Sequence, residues 1–256
     1  MKKTSISTLI LVLLAVLSCE ENATPDPTIE LPKLTRMDNT DGSSNTISTY
    51  YEYQGNLLTK KTAGPFETVY TYEGQTLVSE ESYAAGQLMF KKEYTKESED
   101  KLVQTMYRPD GGNLALSQEW ESLQLSETEI RLNAYNYSSG QKVLNHYRIM
   151  TVADGNLLRE ESFNADGTSQ NIVVTYQYHE GVNPLKFVLG EVDFNIHFFN
   201  YSKNLVSASS LSLSGNLSEE TSYTIELNEF QLPEKMTTTL TRNGMAITNT
   251  YLYYYE

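Results

Sequence analysis

The chain has 256 residues, with 33 acidic and 19 basic side chains and a formal net charge of −14 at pH 7. An acidic surface of this kind repels phosphate backbones, which argues against nucleic acid as a partner. The chain has one cysteine, and a single cysteine excludes internal disulfides and cysteine clusters that ligate zinc or iron–sulfur centres.

Residues 1–18 are predicted to be a signal peptide. Lys2 and Lys3 give a positive start, and residues 6–17 are mostly apolar but too few to span a bilayer as a helix. The segment leads into Val16-Leu17-Ser18-Cys19, where small residues before a cysteine resemble the bacterial lipobox. This resemblance implies cleavage before Cys19 and lipid attachment to that residue. The alternative is an ordinary secretory signal.

Residues 19–34 are predicted to be the lipidated cysteine and a flexible tether. Pro25, Pro27 and Pro32 keep the stretch extended, and it has few residues that could form a core. At about 3.3 Å per residue it could hold a domain up to roughly 45 Å from the bilayer. Glu20-Glu21 resembles the acidic export signal of Bacteroidetes surface lipoproteins. That resemblance favours the cell surface over the periplasmic face of the outer membrane.

Residues 35–256 are predicted to form a single all-β domain. Apolar and polar residues alternate in 172–178, in 192–198 and in 245–255, as expected for strands with one buried face. A helix over 122–132 fits no better than two strands. Glycine-containing turns separate the strands, so we expect an antiparallel meander of roughly a dozen strands. The predicted turns are Ala84-Ala85-Gly86, Asp110-Gly111-Gly112, Ser138-Ser139-Gly140, Asp154-Gly155, Asp166-Gly167 and Asn243-Gly244.

A hairpin unit repeats along the chain. It has the pattern Y-x-Y before a turn and G-N-x-L around it, as in 51–58 and 70–77, with partial copies at 135–137, 155–158, 176–178 and 215–217. The unit resembles the YD repeats of RHS-type proteins, although the Tyr-Asp pair itself is absent. It is also similar to a group of β-rich Bacteroidetes lipoproteins, in which an Asn-Pro turn, here Asn183-Pro184, follows a Y-x-Y strand. Such hairpins predict a large twisted or curled sheet, with a half-open barrel or a sandwich as alternatives.

Paired glutamates and histidines are the first candidates for chemistry. Glu80-Glu81, Glu160-Glu161 and Glu219-Glu220 place neighbours on opposite faces of a strand, so no pair can flank one bond. We interpret them as surface charge, with Lys91 and Lys92 lying across from the first pair. The histidines, His146, His179 and His197, lack the spacing of metal ligands. We therefore predict no metal, no cofactor and no catalytic residue.

Aromatic side chains are the other candidates. Nineteen tyrosines and one tryptophan can stack on sugar rings, but tyrosine also packs well in half-buried strands, and both interpretations stay open. The four tyrosines at 251 and 253–255 populate both faces of the last strand. The predicted ligand-binding residues are Trp120, Tyr251, Tyr253, Tyr254 and Tyr255.

Together these features predict a non-enzymatic cell-envelope lipoprotein, held to the bacterial outer membrane by its lipid. Its β-rich domain would act as a binding or accessory module for glycans or another envelope protein. A carrier of lipid or apolar cargo is one alternative, and it requires a deep apolar cavity. A glycan hydrolase is another, and it requires two facing carboxylates from distant strands.

Overall fold

The computed structural model describes residues 31–138, 140–186 and 202–256. Within these ranges sixteen antiparallel strands follow one another around a closed barrel, and the first strand pairs with the last. The strands are β1 Leu34–Thr40, β2 Thr46–Gln54, β3 Leu57–Ala63, β4 Phe66–Glu73, β5 Thr76–Ala84, β6 Gln87–Ser98, β7 Lys101–Asp110, β8 Asn113–Gln124, β9 Glu129–Ser138, β10 Gln141–Ala153, β11 Asn156–Asn164, β12 Ser169–Val182, β13 Asn204–Leu213, β14 Asn216–Leu227, β15 Pro233–Arg242 and β16 Met245–Tyr255.

The predicted all-β meander is confirmed, but the strand count and the open or layered forms were wrong. The barrel has sixteen strands in the described ranges rather than a dozen, and it closes fully instead of remaining half-open or forming a sandwich. Closure is set by pairing between β1 and β16, with Met37 opposite Tyr253 and Asn39 opposite Tyr251. No local sequence pattern in β1 or β16 predicts that pairing.

The hairpins fall into two sets, one at each end of the barrel. We call the end where β1 begins the floor and the opposite end the mouth. The predicted turns 84–86, 110–112 and 243–244 connect strands at the mouth, and the turn 154–155 connects strands at the floor. Gly86 and Gly155 have φ angles of 76° and 77°, a conformation that glycine adopts without steric cost. Residues 122–132 belong to β8, β9 and their connection, so no helix forms there.

One face of the sheet lines the lumen and the other faces outward. On β2, Thr49 and Tyr51 are buried, while the intervening Tyr50 is 50% exposed. Burial raises the pKa of Tyr51 to about 12. Because directly paired residues share a face, the register around the barrel shows which residues of the other strands are lumenal and which face outward. The stripe 245, 247, 251, 253 and 255 of β16 is lumenal.

Apolar side chains form the floor inside the barrel. Leu58, Leu77 and Leu157 are each the second residue after a two-residue floor turn and point into the lumen, where each is at most 3% exposed. Leu157 is the third residue of its copy of the repeat pattern and the other two are the fourth, so the position after the turn determines which leucine is buried. Leu58 and Leu77 belong to the floor cluster, on which Leu185 of the β12–β13 connection packs, and Leu157 belongs to a second cluster with Leu102 and Met150.

Tyrosines of the Y-x-Y strands tie neighbouring strands together above the floor. In each case the second tyrosine donates its hydroxyl hydrogen bond to a backbone carbonyl at the start of the preceding strand. These bonds let a buried phenol keep a partner. They are Tyr53 to Leu34 O (2.8 Å), Tyr72 to Leu58 O (2.8 Å), Tyr178 to Leu157 O (2.5 Å) and Tyr255 to Pro233 O (2.8 Å).

The outer face is charged. Lys60 Nζ lies 2.7 Å from Glu67 Oε2 on the next strand. On β10, Lys142 Nζ donates to Glu121 Oε1 of β8 (2.6 Å), and Lys101 Nζ of β7 lies 3.3 Å from the same carboxylate oxygen. The copy of the repeat at 135–137 lies on this face, where its tyrosines bond to glutamates instead of carbonyls.

In the described part of the chain, no helix is long and apolar enough to cross a bilayer. The signal peptide, Cys19 and most of the predicted tether lie outside the described residues. The same holds for the predicted strand 192–198 and for His197.

Candidate ligand-binding groove in the lumen

A groove runs along the lumenal wall from β8 to β12. It comprises two adjoining cavities of ≈ 210 Å³ and ≈ 360 Å³ that share His146 and Arg148. The first cavity is lined by β8, β9 and β10, and the second by β10, β11 and β12. Besides the shared pair, the lining residues are Gln118, Trp120, Leu132, Ala134, Asn136, Asn145, Glu160, Ser162, Gln170, Ile172, Val174 and Tyr176.

A β-bulge places two polar side chains side by side in the groove. The register between β10 and β9 shifts between Leu144 and His146, which leaves Asn145 as the extra residue. A bulge redirects the side chain that regular alternation would send to the other face. Asn145 and His146 therefore both line the first cavity, with Asn145 Nδ2 3.2 Å from His146 Nδ1.

Arg148 and Glu160 form the charged centre of the groove. Arg148 Nη1 donates to Glu160 Oε2 (3.0 Å), and the Tyr176 hydroxyl donates to Glu160 Oε1 (2.7 Å). Burial raises the pKa of Tyr176, and the Glu160 charge adds to the effect. Glu160 is nearly covered, whereas 45% of the Arg148 side chain is exposed. Arg148 thus presents N–H donors to whatever enters.

His146 is a neutral hydrogen-bonding group at pH 7. Partial burial lowers its pKa below the ordinary value of 6.5, and the nearby positive charge of Arg148 lowers it further. A neutral imidazole offers one donor and one acceptor. The groove therefore combines a cation, a carboxylate, a neutral imidazole and several amides.

Trp120 forms the apolar side of the groove. It is half-buried and packs against the lumenal cluster that includes Leu102, Ile130 and Met150. Opposite it on β7, Gln104 is fully buried, and neither of its amide atoms has a hydrogen-bond partner among the residues that the structure describes. An unsatisfied buried amide costs about 1–3 kcal/mol, so this wall is not optimised for stability.

The other predicted ligand-binding residues do not share the groove. Tyr251, Tyr253 and Tyr255 are lumenal, but β16 is four strands from β12, the nearest strand of the groove. Tyr253 and Tyr255 pack on the floor cluster. Tyr254 points outward, where the guanidinium of Arg36 lies 3.8 Å from its ring centroid. Of the predicted set, Trp120 is the residue that the structure places beside polar groups in a cavity.

The two side chains of each glutamate pair point to opposite faces of the strand, as predicted, but not all of them lie on the outer surface. Glu80 pairs with Lys92 and Glu81 with Lys91, which confirms the predicted register. Glu80 is buried in the lumen and forms an ion pair with Lys92. Glu160 is lumenal too, so the surface interpretation was wrong for both residues.

Sequence reasoning missed His146, Arg148 and Glu160 as a group. Arg148 and Glu160 meet across the β10–β11 pair, and the bulge at Asn145 sets the position of His146. The sequence does carry one signal for the group, the period-two pattern of β10, which places residues 146, 148 and 150 on one face. Within the described ranges, no group of three or more metal-ligating side chains could hold a metal ion.

No known protein family matches the chain, and no curated protein sequence is similar to it. Solved structures do resemble its fold. A porin-like protein from Bacteroides vulgatus is 12% identical in sequence, with a TM-score of 0.54 over 88% of this chain and 99% of that one. A porin-like protein from Bacteroides uniformis is 13% identical over 87% and 98% of the two chains, with a TM-score of 0.39. The first similarity shows the β-barrel fold.

Proposed function

We propose that the protein is a water-facing β-barrel that binds a saccharide in its lumen, as a lipid-anchored binding module of the bacterial outer membrane. The observation that carries this proposal is the groove, in which one indole lies beside a dense set of planar polar groups. An aromatic face with amide, carboxylate and guanidinium groups around it is suited to a ring that is apolar on its faces and polar at its edges. The module is non-enzymatic in this proposal.

The outer face supports a barrel surrounded by water instead of lipid. Lys60, Glu67, Lys101, Glu121 and Lys142 point outward in ion pairs. A barrel that crosses a membrane presents an apolar band to the lipid, and an outward charge at mid-bilayer costs about 2–4 kcal/mol. The barrel fold shared with a porin-like protein is therefore used here as a container.

The direction of the chain supports attachment at the floor. Residues 20–33 lead into β1, which begins at the floor. A lipid on Cys19 would attach the barrel through the strand that begins at the floor, which leaves the mouth free of the attachment. Display on the cell surface would then give saccharides in the medium direct access to the lumen.

A carrier of apolar cargo is the second candidate, and the mouth supports it. Ile47, Phe66, Met245 and Ile247 lie near mouth turns and are each more than half exposed. They belong to the lumenal face of β2, β4 and β16. Apolar side chains at an open mouth could receive an apolar molecule.

Binding studies on the chain from residue 20 onward test the proposal. Purified without detergent, it should remain monodisperse, because its outer wall is polar. Titration with a panel of polysaccharides and oligosaccharides, followed by the fluorescence of Trp120, should then identify binders. Fluorescence reports on the groove directly because Trp120 is the single tryptophan.

Variants locate the site by calorimetry. Arg148→Gln and Trp120→Ala should each weaken the binding of an identified saccharide about tenfold or more. Tyr254→Ala, on the outer face, should leave it unchanged. A folded protein that binds no saccharide on the panel would contradict the proposal, and tight binding of a fatty acid in its place would favour the carrier.

A further inference from the structure

A second polar site lies on the lumenal wall formed by β3 to β6. Lys61 of β3 points into the lumen, because it pairs with the buried Tyr51 of β2 on one side and with Thr68 of β4 on the other. Its sequence neighbour Lys60 points outward to Glu67. The two adjacent lysines therefore face opposite sides of the wall.

Lys61 has no hydrogen bond or ion pair with any residue that the structure describes. Glu80 is the carboxylate that attracts it, but that carboxylate is in contact with Lys92. The Lys92–Glu80 pair is buried, with 13% and 10% of the two side chains exposed. The carboxylate nearest to Lys61 among the described residues is thus already paired with Lys92.

The surroundings of Lys61 disfavour an isolated charge. Solvent reaches the side chain through the lumen, yet the wall encloses it, and this enclosure lowers the pKa of the ammonium. Thr68 pairs with Lys61 across β3 and β4, and its hydroxyl lies 3.2 Å from that of Ser82 on β5. One of these hydroxyls donates to the other, so the pair offers one further O–H donor. A lumenal ammonium beside a hydroxyl donor, with no ion pair to a described residue, is arranged to hold an anion.

We infer that Lys61, with Thr68 and Ser82 beside it, binds an anionic group of the lumenal ligand, a carboxylate or a sulfate. The inference rests on the proposed role of the lumen as a saccharide chamber, and it narrows the ligand to acidic saccharides. The location fits the charge distribution of the whole chain. An acidic protein with a formal charge of −14 repels anions in general, so an anion is held only where positive charge is concentrated.

Inorganic sulfate is the direct probe, since it needs no sugar site. Sulfate added to the chain from residue 20 onward should shift the side-chain NMR signal of Lys61 and raise the pKa of its ammonium. Lys61→Met should weaken sulfate binding about tenfold or more, the loss expected for a charge-assisted hydrogen bond. Lys60→Met is the matched control and should change the affinity less than about twofold.

Two results would overturn the inference. One is a Lys61 NMR signal that does not move when sulfate is added. This measurement uses the unmodified protein, so it does not depend on whether Lys61→Met folds. The other is an equal loss of affinity in the Lys60 and Lys61 variants. Either one leaves the proposed saccharide groove intact if Trp120 fluorescence still responds to sugars.

A matched pair of oligosaccharides links the two sites, which lie five strands apart around the wall from β8 to β3. Oligomers of galacturonate and of galactose differ by a carboxylate in place of a hydroxymethyl group in each unit. For oligomers long enough to reach both sites, the preference of the protein for the acidic one should fall about tenfold in Lys61→Met and stay unchanged in Lys60→Met. Equal affinity of the two oligomers for the unmodified protein would contradict an acidic ligand.

Discussion

The tripeptide Gly-Asn-Leu occurs at both ends of the barrel with opposite results. At the floor, Gly155-Asn156-Leu157 buries its leucine to 1% exposure, while at the mouth the leucine of Gly215-Asn216-Leu217 is 62% exposed. Both copies form the same kind of hairpin turn, with φ angles of 77° and 79° at the glycines. The register pairs Leu157 with the lumenal Val152 but Leu217 with Ser212 on the outer face. The motif therefore specifies a turn, and the face on which its leucine falls decides whether that leucine stabilises the fold.

The largest expected effect is a direct test of that difference. Leu157→Ala should lower the free energy of unfolding by about 2–5 kcal/mol, because it leaves a cavity in the floor. Leu217→Ala should change it by less than about 0.5 kcal/mol. Urea denaturation followed by circular dichroism measures both. Similar losses for the two variants would show that the mouth is packed as well as the floor.

A second pair of variants compares glycines at the two ends. A Cβ on Gly181, near the floor, would lie 2.8 Å from Leu227 Cδ2 and 3.1 Å from Leu205 Cδ1. Gly181→Ala should therefore destabilise the protein by about 1–3 kcal/mol through overpacking. At the mouth, a Cβ on Gly42 meets nothing nearer than Thr248 O at 3.6 Å. Gly42→Ala should leave the urea midpoint almost unchanged.

The wall between the two ends should respond in the opposite direction. Gln104→Met replaces a buried amide that has no partner with an apolar side chain of similar length. It should stabilise the protein by about 1–2 kcal/mol, measured as a higher urea midpoint at constant m. Destabilisation would mean that the amide has a role that the structure does not display.

The smallest expected effect concerns acid and the outer wall. Burial disfavours ionisation of Glu121, but hydrogen bonds from Lys142 and Tyr135 outweigh it and lower the pKa to about 2. The ordinary value is 4.5, so this stabilisation is present above pH 4.5 and is lost as the pH falls towards 2. Glu121 is itself buried, but its partners Lys142 and Lys101 are 35% and 28% exposed, so screening limits the loss to about 1 kcal/mol.

Single substitutions isolate that contribution. Glu121→Gln should flatten the pH dependence of the urea midpoint between pH 4.5 and 2. Glu219→Gln, which removes an exposed ion pair with Arg242 at the mouth, should leave the profile as it was. An unchanged profile in the Glu121 variant would assign acid sensitivity to other carboxylates.

The sequence predicted local features well because local chemistry determines them. Glycine turns such as Asp154-Gly155 and the register of Glu80 with Lys92 depend on residues a few positions apart. Closure could not be predicted, because it depends on pairing between the first and last strands. Of the lumenal groove, only Trp120 was predicted, since the polar residues of the groove meet across three strands.

A one-residue offset of the turn explains why the repeat misled the interpretation of the glutamates. Aligned on their glycines, Lys60 and Glu160 occupy the same position of the repeat. The two-residue turn is Gly55-Asn56 before β3 but Asp154-Gly155 before β11, so Lys60 lies one position closer to its turn than Glu160 does. In both strands the third residue after the turn is the extra residue of a bulge, and the offset therefore places Lys60 on the outer face and Glu160 in the lumen.

The seam between β1 and β16 also determines when the protein can fold. It joins residues as far apart as Thr35 and Tyr254, whose side chain–backbone hydrogen bond spans 219 positions. Contacts of such long range form late, because they carry the largest loop-closure entropy. The barrel therefore cannot close until its final strand is available. The hairpins between neighbouring strands can form before that, so a chain that ends before β16 would hold hairpins but no closed lumen.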